Sequence, residues 1–197
     1  DSPQTTLYLD NVRVAKFDGT VSAPAYVPEK KLSYDGIELL GLDAVDDLQY
    51  VALSTPHSTG DGWARMTLDP SAERIFGRAA LRVEMYAATY EKDTLWATGN
   101  EYRIGVYADA VSAVRGAKTV NVKCHNPDMQ AKRVKLLCSA GTRTATATVD
   151  IPAGETVLLV CDAAAVLQNV DRIDIAVNAW NFGGKATVYF SQLQYTV

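Results

Sequence analysis

From residue 48 onward the chain is cut into some ten short runs in which apolar and polar residues alternate, each bounded by Gly, Pro, Asn, Asp or Ser. The runs are LQYVALS, WARMTLD, AALRVEMYA, EYRIGVYADA, TVNVKCH, KRVKLLCS, TATATVDI, ETVLLVCD, DRIDIAVNAW and KATVYFSQLQY. A period of two is the signature of a strand with one buried face, and ten such strands at near-regular spacing predict an all-β, antiparallel β-sandwich. Turn chemistry agrees, because NPDMQAK, SAGTR, IPAGE and NFGGK separate the later runs. Only AAAVLQNV carries a helical apolar stripe, enough for about one turn of helix.

The first strand-like run, TTLYLDNVRV at residues 5–14, stands apart and is nearly repeated at the C-terminus by ATVYFSQLQYTV. Aligning Thr6 with Thr187 places Leu7 on Val188, Tyr8 on Tyr189, Leu9 on Phe190, Asn11 on Gln192 and Val12 on Leu193. A one-residue slip in the first copy predicts a bulge at Asp10–Asn11. Between this strand and the sandwich, residues 17–34 are rich in turn formers, without periodicity, and read as a linker. The expected organisation is therefore residues 1–16 as the terminal strand of a preceding module or an added edge strand, 17–34 as linker, and 35–197 as sandwich. The start at Asp1, without Met or signal peptide, is expected of a mature or excised piece of a longer protein.

At 197 residues with 48% hydrophobic content the chain can bury a full core without metals or staples. No apolar run approaches the roughly 20 residues of a membrane span, so no membrane insertion is expected. A net charge of -4, with KRVK as the one basic cluster, argues against nucleic acid as a partner and favours a neutral or mildly anionic ligand. Cys124, Cys138 and Cys161 fall among apolar strand residues and are expected as buried thiols.

Alternation also assigns faces. Leu81, Val83, Met85 and Ala87 point inward, as do Tyr102, Ile104, Val106, Ile173, Ile175, Val177 and Ala179. Trp63, Arg65, Thr67, Arg82, Glu84, Tyr86, Arg103, Tyr107, Asp174, Asn178 and Trp180 then point outward. Aromatic faces stack on the C–H side of a pyranose while guanidinium and amide groups bond its hydroxyls. Trp63, Arg65, Arg103, Tyr107, Asn178 and Trp180 have that chemistry, and Trp96 joins them from the long connection TYEKDTLWATGNE at residues 89–101. These seven are the expected ligand-binding residues. No catalytic set is expected: His57 and His125 lack metal-ligand spacing, and the nucleophile-elbow, phosphate-loop and dinucleotide glycine motifs do not occur.

The closing strand, with IPAGETVLLVCD and DRIDIAVNAW before it, resembles the final strands of jelly-roll carbohydrate-binding modules appended to bacterial glycoside hydrolases and related polysaccharide-degrading enzymes. The resemblance covers roughly residues 115–197 by hydrophobic spacing and the rest by strand rhythm. It implies a jelly-roll sandwich that is a non-catalytic accessory domain of a secreted or cell-surface bacterial enzyme. It further implies a polysaccharide or oligosaccharide ligand and a neighbouring catalytic domain in the same chain. Many such modules hold a structural calcium with an acidic residue of the closing strand; Ser191 stands there, and Asp10 keeps the acid in the first copy only, so no cofactor is expected. Two other readings are a ligand-free structural spacer and a polysaccharide lyase. For the latter, RVEM at 82–85 and YRIGVY at 102–107 look like strands of jelly-roll alginate lyases, and Arg82, Tyr107 and His125 or His57 would share a groove.

Overall fold

The computed structural model describes residues 36–54, 63–86, 101–178 and 185–197. The chain divides into two units, Asp1–Lys31 and Leu32–Val197, of which the second is described here. The strand expected at residues 5–14, its bulge, the linker, Trp96 and Trp180 lie outside the described residues.

Eleven strands occur among the described residues: β1 (Ile37–Leu40), β2 (Val51–Ser54), β3 (Trp63–Asp69), β4 (Ala80–Tyr86), β5 (Glu101–Val106), β6 (Thr119–His125), β7 (Lys132–Ala140), β8 (Arg143–Ile151), β9 (Thr156–Asp162), β10 (Arg172–Asn178) and β11 (Lys185–Thr196). Short helices α1 (Glu73–Phe76), α2 (Ala108–Ser112) and α3 (Ala164–Leu167) lie between them. One sheet runs β3-β4-β11-β6-β9, with β1 pairing β11; the other runs β2-β5-β10-β7-β8. Every pairing is antiparallel. Consecutive strands hop between sheets except at the β3–β4 and β7–β8 hairpins, a jelly-roll sandwich as expected.

On β3, β4, β5 and β10 the inward face is the one alternation assigned; Ala87 and Ala179 lie outside the described residues. Leu81, Val83 and Met85 of β4 meet Tyr102, Ile104 and Val106 of β5 and Ile173, Ile175 and Val177 of β10 in one continuous core. Phe190 and Leu193 of β11 complete it. Each such side chain stabilises the fold by about 1.5–3 kcal/mol through area removed from water. Cys124, Cys138 and Cys161 are buried in this core and unbridged. α3 forms where the single apolar stripe predicted it.

Three local expectations fail for identifiable reasons. LQYVALS begins as a 3-10 turn over Val45–Tyr50, because the Asp47 carboxylate accepts from the Asp43 and Ala44 N–H groups, and only Val51–Ser54 is strand. EYRIGVYADA stops being strand at Val106: the Tyr107 N–H goes to the Tyr50 carbonyl and α2 follows. β1 was not expected, being four residues beside a segment without periodicity.

β11 is twelve residues long and changes neighbours along its length, lying beside β4 at Lys185–Phe190 and beside β1 from Leu193 onward. The switch is made by a bulge between Ser191 and Gln194, where Gln192 takes φ +54 and donates its N–H to the Gly41 carbonyl at 2.9 Å. Gln192 is the residue aligned with Asn11, so the bulge appears in the closing copy of the repeated strand.

Candidate functional site

The outer face of the β2-β5-β10-β7-β8 sheet is built from residues that register places in rows. One row is Ala52, Gly105, Asp174, Leu137 and Thr146; the next is Ser54, Arg103, Ala176, Lys135 and Thr148. Ala52, Gly105 and Ala176 are the smallest side chains of the two rows, and Ala176 is wholly buried among surroundings that include arginine, lysine and threonine. A glycine inside a strand weakens it and marks a close approach. The approach here is to Asp174: a Cβ added to Gly105 would come within 3.2 Å of its Oδ1.

Asp174 is the chemical centre of the face. Its side chain is 3% exposed, its Oδ2 accepts from Arg172 Nε at 2.7 Å, and Arg103 Nη1 lies 4.0 Å from the same oxygen. The other oxygen, Oδ1, is buried and has no hydrogen-bond partner. Buried carboxylate oxygens are rarely left so, since an unmet acceptor costs about 1–3 kcal/mol. That oxygen is covered as well as unmet, so a sugar hydroxyl reaches it only where the neighbouring side chains give way, while the arginines on Oδ2 offer donors beside it.

The opposite outer face, on β3, β4 and β11, is aromatic and charged. Trp63 of β3 stacks on Tyr86 of β4 with ring centres 6.4 Å apart and planes within 18°. Arg65 lies 5.8 Å from the Trp63 ring and grips Glu84 at 2.5 Å. Arg82 reaches the other oxygen of Glu84 at 2.9 Å, and Lys185 is 3.5 Å from it. Burial alone would push the Glu84 carboxyl up, but Arg65, Arg82 and Lys185 outweigh it and hold it below its ordinary value of 4.5. Arg82, Tyr189 and His125 continue this face in one row across β4, β11 and β6.

The residues expected from sequence therefore separate into two groups. Trp63 and Arg65 are on the first-named sheet's outer face, with Trp63 40% exposed; Arg103 belongs to the other sheet, Tyr107 follows its strand β5, and Asn178 is the last residue of β10. Trp63 opens β3 and Asn178 closes β10, while Tyr107, 51% exposed, sits at the far end of β5 before α2. A bond of 2.5 Å from the Tyr102 hydroxyl to the Tyr86 carbonyl ties β5 of one sheet to β4 of the other. Sequence reasoning missed Asp174 and Glu84 as site residues, because acidic strand residues read as solvated; Gly105 inside an alternating strand was the available signal.

The residues of the lyase grouping are divided: Arg82 and His125 share a face, Tyr107 follows the last residue of β5 in the other sheet, and His57 lies outside the described residues. Tyr189 lies between Arg82 and His125, and its hydroxyl donates to Asp69 Oδ2 at 2.9 Å. Burial first, then the bond to Asp69, raises its ionisation above the ordinary value of 10.0, so it is held as a phenol and not as a base.

Near Ser191 the described carboxylates are held by the protein's own side chains. Next to it, Gln192 reaches Glu38 at 3.4 Å, and Glu38 with Asp43 grips Arg78 through bonds of 2.6 and 2.5 Å. One guanidinium is thus shared by two carboxylates and offsets one of their two charges.

No protein-family model and no curated protein matches the chain. Among solved structures it is similar to CBM27-1 of Caldicellulosiruptor saccharolyticus in complex with mannohexaose, with TM-score 0.58 and 12% identity over 80% of this chain and 96% of that one. It is also similar to a family 11 carbohydrate-binding module from Clostridium thermocellum in complex with a β-1,3-1,4-mixed-linked tetrasaccharide, with TM-score 0.52 and 8% identity over 83% and 97%. The fold is that of a carbohydrate-binding module. At these identities the likeness is one of fold. The module fold also matches the agarase AgWH50C at TM-score 0.53 and 7% identity, spanning 81% of this chain and 26% of that one.

Proposed function

We propose that this chain is a non-catalytic carbohydrate-binding module that takes a glycan on the outer face of the β2-β5-β10-β7-β8 sheet. The observation that carries the reading is Asp174, whose buried Oδ1 lies beside Gly105 without a partner. Arg172 and Arg103 lie beside its other oxygen as donors, and Asn178 ends the same strand. Its relatives in fold bind oligosaccharides, as their names state, which supports a polysaccharide ligand. Sugar hydroxyls suit such a site because each can donate to the carboxylate while accepting from a guanidinium.

The module would serve a secreted polysaccharide-degrading enzyme as an accessory domain, without calcium, since Arg78 supplies the positive charge between Glu38 and Asp43. Affinity gel electrophoresis against mannan, mixed-linked β-glucan, xylan, agarose and polygalacturonate tests this, with absorbance at 235 nm followed for elimination products. Retardation without absorbance is the expected result. No retardation by any glycan would favour a structural spacer, and rising absorbance would replace the binding module with a lyase.

A further inference from the structure

We infer that the chain carries a second ligand site, on the outer face of β3, β4 and β11, that binds the anionic group of a polysaccharide. It goes beyond the glycan face above and shares no residue with it. Glu84 is 1% exposed and has three cations around it. Both of its oxygens are occupied, Oε2 by Arg65 and Oε1 by Arg82 and Lys185. Asp69, 3.9 Å from Arg82, balances that arginine. Arg65 and Lys185 are then left to share the single charge of Glu84.

The surplus positive charge lies where a ligand can reach it, because the Arg65 and Lys185 side chains are 60% and 59% exposed. The chain as a whole is acidic, at -4, so this surplus runs against the general sign of the molecule. It is also preorganised. Glu84 holds the Arg65 guanidinium on one side, and the Trp63 ring lies beside it, braced in turn by Tyr86. A sugar bearing a carboxylate or sulfate answers this arrangement: its anion meets Arg65 and Lys185, and its ring lies along Trp63. Neutral glycans answer only the last.

The shared chemistry is an oxyanion on a pyranose, and two probes separate its sources: polygalacturonate for carboxylate and ι-carrageenan for sulfate. Retention of the chain in gels containing each is compared with Lys185→Glu, Trp63→Ala and Asp174→Asn, after melting curves show that each variant is folded. At low salt, retention by at least one acidic polymer is expected, weakened roughly tenfold or more in Lys185→Glu and in Trp63→Ala and little changed in Asp174→Asn. Raising salt from about 20 to 200 mM shrinks the screening length severalfold and should weaken it further. Retention by one polymer alone names the anion. No retention by either, retention indifferent to Lys185→Glu, or retention lost in Asp174→Asn but kept in Lys185→Glu would each overturn the inference. Neutral-glycan retention in the same gels reports on the opposite face, so failure of one site is distinguishable from failure of the other.

Discussion

Replacing Asp174 with asparagine separates a binding role from a structural one. The amide preserves the shape of the side chain and its contact over Gly105, removes the charge and turns one acceptor oxygen into an N–H donor. On the stability side the loss is small. Asp174 pairs directly with Arg172, whose side chain is 55% exposed, so solvent screens the pair and its contribution is at most about 1 kcal/mol. Relief of a buried charge with one unmet oxygen offsets part of that. The net change is within about 1 kcal/mol, a melting shift of roughly 2–4 °C. On the binding side, a hydroxyl donating to a charged acceptor contributes about 1.5–3 kcal/mol, so affinity should fall roughly ten- to a hundred-fold. Isothermal titration with the glycan retained in gels, alongside differential scanning calorimetry, reads both quantities. Affinity within twofold of the parent chain, at an unchanged melting temperature, would refute the role assigned to the Asp174 carboxylate.

Other perturbations follow from the same contacts. Gly105→Val puts a branched side chain against Asp174 Oδ1, so glycan affinity should drop by more than tenfold in titrations while far-ultraviolet circular dichroism stays that of a β-sandwich. Glu84, held below 4.5 by its cations, contributes stability that is present above that value and lost as pH falls through its depressed folded value. Chemical denaturation at pH 7 and pH 3 should therefore show a smaller loss for Glu84→Gln than for the parent, and an equal loss would contradict the assignment. Addition of EDTA should leave the melting temperature unchanged, while Arg78→Met, which removes the cation shared by Glu38 and Asp43, should lower stability by about 1 kcal/mol.

The sequence made the faces legible because a buried side imposes a period of two, and Leu81, Val83 and Met85 could not satisfy it in any other register. It could not show which sheet a strand joins. Trp63 and Arg103 look alike in alternation, yet β3 and β5 belong to different sheets, so residues that read as one site form two. Charged groups were the other blind spot. Asp174 and Glu84 are outward by alternation and buried by their arginine neighbours, a state set by cross-strand partners such as Arg65, which lies 19 positions away in sequence from Glu84. Tyr189 was visible only as half of a repeated strand, and its place between Arg82 and His125 follows from β11 lying between β4 and β6.

The most direct test of glycan binding on the β2-β5-β10-β7-β8 face is a ¹H–¹⁵N correlation titration with mannohexaose, a mixed-linked β-glucan tetrasaccharide and xylohexaose. Shifts in at least one titration that cluster on the amides of Arg103, Gly105, Asp174 and Ala176 are the predicted result. Unchanged spectra with all three, or shifts confined to residues away from β5 and β10, would contradict it.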